Sequence, residues 1–78
     1  MIILVVKGIK IRTETITLEQ FLKWAGLVQT GGEAKILIQS GKVKVNGQTE
    51  KRRSHKLSTG DLIEVNGDTF AVEKNGNT

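Results

Sequence analysis

The residues of this chain that could do chemistry by type are few, and nearly all of them are cations. The run Lys51-Arg52-Arg53-Ser54-His55-Lys56 sets four formal positive charges and an imidazole within six positions. Guanidinium and ammonium groups clustered on a loop neutralise phosphates, and arginine adds two-pronged contacts to phosphate oxygens. His55 is the only histidine, and the chain has no cysteine. A thiolate nucleophile, a His/Cys metal set and a disulfide are therefore all out of reach. Carboxylates gather at Asp61, Glu64 and Asp68, but beside turn residues, where acidic side chains commonly serve local backbone bonding. This inventory predicts no catalysis, no metal or cofactor and no small-molecule substrate.

Other cations extend the pattern. From Lys35 to Lys56 the chain carries Lys35, Lys42, Lys44, Lys51, Arg52, Arg53 and Lys56 against the single carboxylate Glu50. The whole chain has a net charge of +4, so the remainder is mildly acidic. A basic middle on an acidic remainder points to one surface for a polyanion, although a merely solvated charged surface has the same composition. Lys23 adds a further cation on a predicted helix. Gly31-Gly32 adds a different element, since glycines in the first turn of a helix leave N–H groups open to an anion that the helix dipole favours. Lys35, one turn on, could face the same anion. The same two glycines would equally permit a close helix-helix turn.

These residues need elements to hold them. With 78 residues and 37% hydrophobic content there is room for one core and a single domain over 1–78. Leu18, Phe21, Leu22 and Ala25 recur at helical spacing, Thr17 and Gln20 form a capping box, and Gly26 supplies a stop, which predicts a helix of about three turns. Thr30 and Glu33 open a second helix with Ala34, Leu37 and Ile38 on its apolar face until Gly41. Only Leu27-Val28-Gln29 joins the two, so they form a helix-turn-helix pair. Trp24 lies off the first helix's stripe, and a half-buried core position is expected for it.

Strands fill the rest. Ile2 to Val6 is rich in β-branched residues and too short for a membrane span, Lys7-Gly8 reads as a turn, and Ile9 to Ile16 reads as extended. Lys42-Val43-Lys44-Val45 alternates, so that the valines face a core and the lysines face solvent. Asn46-Gly47 and Asn66-Gly67 are two-residue hairpin turns, Leu62 to Val65 and Phe70 to Val72 are strands, and the tail 75–78 should fray. The fold class is α+β, with two short helices packed on a small, mainly antiparallel sheet of about four to five strands. Lack of cysteine and of a signal segment fits a cytoplasmic protein.

The series Leu18-Glu19-Gln20-Phe21-Leu22-Lys23-Trp24-Ala25-Gly26-Leu27-Val28, Thr30-Gly31-Gly32-Glu33-Ala34-Lys35, Gly41-Lys42-Val43-Lys44-Val45-Asn46-Gly47 and Gly60-Asp61 resembles the S4-like, or alpha-L, RNA-binding domain of small-subunit ribosomal protein four. The match covers about the central two-thirds of the chain, with a core motif over 17–66. The resemblance implies an alpha-L fold, no enzyme activity, and binding of structured RNA of the ribosomal or transfer RNA class. It is to the small stand-alone bacterial members, which implies a monomer. Carried over by position, the RNA face comprises the start of the first helix, Thr30 to Lys35 with Gly31 and Gly32, and the loop Lys51, Arg52, Arg53, His55 and Lys56. Lys23, Lys42 and Lys44 are added from the charge pattern. Two departures stand out: Thr17 and Gly31 occupy positions where many members carry arginine, and the Lys51-Arg52-Arg53 run is the candidate replacement. Two rivals are a protein adaptor that docks an acidic partner and a ubiquitin-like sulfur carrier. The carrier needs a C-terminal Gly-Gly, whereas this chain ends Asn75-Gly76-Asn77-Thr78.

Overall fold

Thr17 is where the period changes from two to three and a half, and there the chain passes from strand into helix. In the computed structural model, which describes residues 5–75, Thr17 is the N-cap, its hydroxyl accepting the Gln20 N–H at 3.2 Å. In chain order the elements are β1 (Val6–Ile11), β2 (Thr15–Thr17), α1 (Leu18–Trp24), α2 (Gly31–Gln39), β3 (Val43–Val45), β4 (Gln48–Thr49), β5 (Lys56–Ser58), β6 (Leu62–Val65) and β7 (Asp68–Lys74). Five strands form one sheet in the order β1-β7-β6-β3-β4, antiparallel except where β1 pairs with β7, and β2 pairs with β5 in a second, two-stranded sheet. The α+β architecture is as expected.

The helix pair and the sheet share one apolar core. Leu18, Phe21 and Leu22 of α1 and Ala34 and Ile38 of α2 are fully buried against Val43, Ile63, Val65 and Val72 of the sheet. Both hairpin turns form as read: Asn46 and Gly47 have φ 51° and 84°, and Asn66 and Gly67 have 53° and 83°. Positive φ at both central residues matches the right-handed twist of the flanking strands. Val43 and Val45 are buried and Lys44 is exposed, as the alternation requires.

Five local expectations are corrected. Lys7-Gly8 is no turn; both lie within β1, in register with Phe70 and Ala71 of β7. A Cβ at Gly8 would meet only the Glu73 carboxylate on β7, the end of an exposed side chain that can swing aside. The extended stretch from Ile9 breaks at residues 12–14, which bend between β1 and β2. Helix α1 has seven residues, about two turns rather than three. It ends early because Gly26, at φ 76°, donates to Lys23 O while Leu27 donates to Leu22 O, a bonding pattern that closes a helix through a left-handed residue. Trp24 is 57% exposed rather than core, and Asn75 is tied down by donating its N–H to Ile11 O at 2.9 Å. The Ile2–Leu4 part of the first strand and residues 76–78 of the tail lie outside the described residues.

Candidate nucleic-acid interface

The basic loop between β4 and β5 is built onto a helix end. A helix begins with N–H groups that have no partner within it. Here the carbonyls of Arg53 and His55 accept the N–H groups of Glu19 (3.1 Å) and Leu18 (2.8 Å). The loop backbone is therefore fixed at the start of α1, while its side chains point outward: Lys51, Arg52, Arg53 and Lys56 are all exposed.

Two carboxylates organise those side chains. Glu50 accepts from the Arg52 guanidinium through Nε (3.1 Å) and a terminal nitrogen (3.3 Å), and from the Arg52 backbone N–H (3.0 Å). His55 Nδ1 lies 3.2 Å from the other side of the same carboxylate. The Arg52 side chain, then its backbone N–H, hold the Glu50 carboxyl down at about 2 against a mild opposing effect of burial. Glu19, in the first turn of α1, takes Arg53 at 3.5 Å. The same carboxylate flanks the start of α2, where a Cβ on Gly31 would sit 3.4 Å from it.

Helix α2 opens as its sequence suggests. The Thr30 hydroxyl accepts the Glu33 N–H at 3.1 Å, which makes Gly31 and Gly32 the first two helical residues. A Cβ at Gly32 would meet nothing nearer than the Thr30 hydroxyl at 3.8 Å, so backbone approach is unobstructed there. At Gly31 the neighbouring Glu19 already supplies a negative charge, which Arg53 offsets. Arg53 thus stands next to the position where the resemblance anticipates an arginine.

The predicted residues are gathered unevenly. Gly31 and Arg53 meet at Glu19, with Thr30 and Gly32 flanking Gly31, and Arg52 and His55 meet at Glu50. Lys51 runs along the turn that ends α2, its Cε 3.7 Å from where a Gly41 Cβ would be. Lys56 opens β5 opposite Thr17, and Lys23 and Lys35 are exposed on α1 and α2. Lys44 is not part of this group. It stands on the sheet face turned away from the helices, level with Glu64, and with Lys42 lines a recess of about 270 Å³ there. Sequence reasoning passed over Glu19 and Glu50 as organisers. The signal for Glu50 was its place as the lone carboxylate of a cationic stretch.

The Val-Asn-Gly and Gly-Asp pieces turn out to be one unit. Asn46 donates through Nδ2 to Asp61 at 3.1 Å and accepts the Leu62 N–H at 2.9 Å, while Asp61 accepts the Ser58 N–H at 2.9 Å. Their role is to lock the β3 turn to the start of β6. Among the described residues no helix is long and apolar enough to cross a membrane.

A pair of short, packed helices on a hairpin sheet, with a cationic loop seated at the first helix start, defines a small module of the alpha-L type. The S4 domain model matches residues 9–73, and the chain belongs to that family. It is 48% identical over 59 residues to the probable ribosome maturation protein RlbA of Bacillus subtilis, covering 76% of this chain and 83% of that protein. It is 37% identical over 51 residues to the putative RNA-binding protein YbcJ of Escherichia coli, covering 65% and 73%. The solution structure of YbcJ, reported to reveal an alfaL motif involved in RNA-binding, superposes with a TM-score of 0.62 at 29% identity, over 94% of this chain and 91% of that one. The 30S ribosomal protein S4e of Thermoplasma acidophilum gives 0.59 at 25% identity, over 77% of this chain but only 32% of that one.

Proposed function

We propose that this protein binds structured RNA, of the ribosomal or transfer RNA class, through the edge where the two helix starts meet the basic loop, and that it does no chemistry of its own. The observation that carries the reading is the seating of the loop. Backbone bonds from Arg53 and His55 fix it beside the open first turn of α2, so its cations are presented without first having to be ordered. Contacts are to phosphate and shape, by Thr30 to Gly32, Lys35, Lys51, Arg52, Arg53, His55 and Lys56, with Lys23 at the margin. Lys44 lies apart on the far face, and Lys42 borders both that face and the groove beside α2. The names of RlbA and YbcJ agree with an RNA partner, and that of RlbA favours ribosomal RNA. The protein works as a cytoplasmic monomer.

The test is filter retention of a folded ribosomal RNA fragment and of unstructured RNA across a salt series. Phosphate-led binding gives a log-log slope of about −0.7 to −0.9 per phosphate neutralised, with the folded RNA preferred. No retention at low salt overturns the proposal. Pull-downs with and without ribonuclease identify an adaptor instead, if an acidic protein is retained after the RNA is gone.

A further inference from the structure

We propose that Trp24 and Arg12 form a stacking site for an unpaired base of the bound RNA, distinct from the phosphate-contacting edge. The inference rests on the RNA-binding reading.

Trp24 closes α1 and is 57% exposed, although burial of a side chain this size is normally favourable. Its one polar atom is already satisfied, because Nε1 donates to the Lys10 carbonyl at 2.8 Å. That bond ties the indole edge to β1, and what remains open to solvent is chiefly ring surface. A ring fixed in this way loses little further freedom when something stacks on it.

Beside the ring is a pocket of about 200 Å³ lined by Ile11, Arg12, Thr13, Ile16 and Trp24. Its lining is mostly apolar, and Arg12 is its one charged residue. The 12–14 bend that shapes it is held by the Thr13 hydroxyl donating to Thr15 O at 2.5 Å. Arg12 lines the site, the exposed Lys10 and Lys23 adjoin its lining residues Ile11 and Trp24 in the chain, and the carboxylate of Glu14 is occupied by Lys74 at 2.9 Å. An aromatic face, an apolar lining and a guanidinium suit a base and its phosphate, since any base offers a π-face and arginine takes either group. The same positive charge disfavours a cationic partner.

The location also fits. Ile16 precedes Thr17, which is in register with Lys56 at the end of the basic loop. Trp24 and Glu19 mark the two ends of α1, about 8 Å apart along its axis. A strand leaving the phosphate contacts covers that distance in about two or three nucleotides.

Trp24 is the only tryptophan and there is no tyrosine, so intrinsic fluorescence reports on this site directly. The probes are a blunt RNA hairpin and the same hairpin with a short adenosine extension on either end. Quenching is expected with an extended hairpin and not with the blunt one. By filter retention, Trp24→Leu should weaken the extended complex by about 5- to 150-fold and leave the blunt one unchanged, while Trp24→Phe keeps most of the gain. Retention of both RNAs without quenching, and unaltered by Trp24→Leu, overturns this inference and leaves the RNA-binding reading intact. Retention of neither RNA removes both readings. A shift in emission that depends on protein concentration without RNA assigns the ring to self-contact and also overturns the inference.

Discussion

Glu50 restrains the cation beside it. Its carboxylate takes three hydrogen bonds from Arg52, so that arginine is partly neutralised before any phosphate arrives. Among the described residues Lys51 has no such acidic neighbour, and its exposed ammonium is the readier contact. Lys51→Ala should therefore weaken RNA binding more than Arg52→Ala, as measured by titration at one fixed salt concentration. Glu50→Gln removes a negative charge and releases the guanidinium, and is expected to tighten binding several-fold. The pH dependence has a definite sign. The folded carboxyl titrates at about 2, below its ordinary value of 4.5. Its contribution to loop order is complete above about pH 4.5 and fades as pH falls through about 2. A carboxyl-carbon NMR titration of Glu50 should have its midpoint near 2; a midpoint near 4.5 would mean the Arg52 bonds do not persist in solution.

At the scale of elements, the sequence was most legible where a single residue type has one physical use. Asn-Gly pairs turned as hairpins because both residues tolerate positive φ, and Thr30 capped α2 because its hydroxyl reaches the N–H three residues on. It was least legible where long-range partners decide. Gly8 has the look of a turn residue but lies within β1 in register with Ala71 of β7, and Trp24 has the look of core although a β1 carbonyl claims its N–H. The site shares this split: the cationic run can be read directly, but its seating on α1 through carbonyls 34 and 37 residues away cannot. Two substitutions probe these elements. Thr30→Ala should cost about 1 kcal/mol and Thr30→Gly only a few tenths, because glycine remains a fair cap. Asn46→Ala loses both the left-handed preference and the bonds to Asp61 and Leu62, and should cost about 1–2 kcal/mol. Urea unfolding of the variants measures each; an Asn46→Gly variant that recovers full stability would show that the Asp61 link contributes nothing.

For the whole molecule, the question is how the charge is divided between faces. The described residues form a slab of 37 × 35 × 20 Å, so cations on opposite faces of the sheet cannot address one rigid helix together. The basic loop lies at the edge where the helices start, and Lys44 lies on the far face beside Glu64. The salt dependence of binding separates the two, because removing a cation that neutralises one phosphate reduces the log-log slope by about 0.7–0.9. The triple variant Lys51→Ala, Arg52→Ala, Arg53→Ala should flatten the slope by about two, given that Arg52 contributes least. It should still fold, since the loop is held to α1 by the carbonyls of residues 53 and 55, which alanine retains, and the exposed Arg53–Glu19 pair adds at most about 1 kcal/mol. Lys44→Ala should leave the slope unchanged. If it flattens the slope as much as Lys51→Ala does, the RNA wraps the edge formed by β4 and touches both faces, and the interface is larger than the helix starts and the loop.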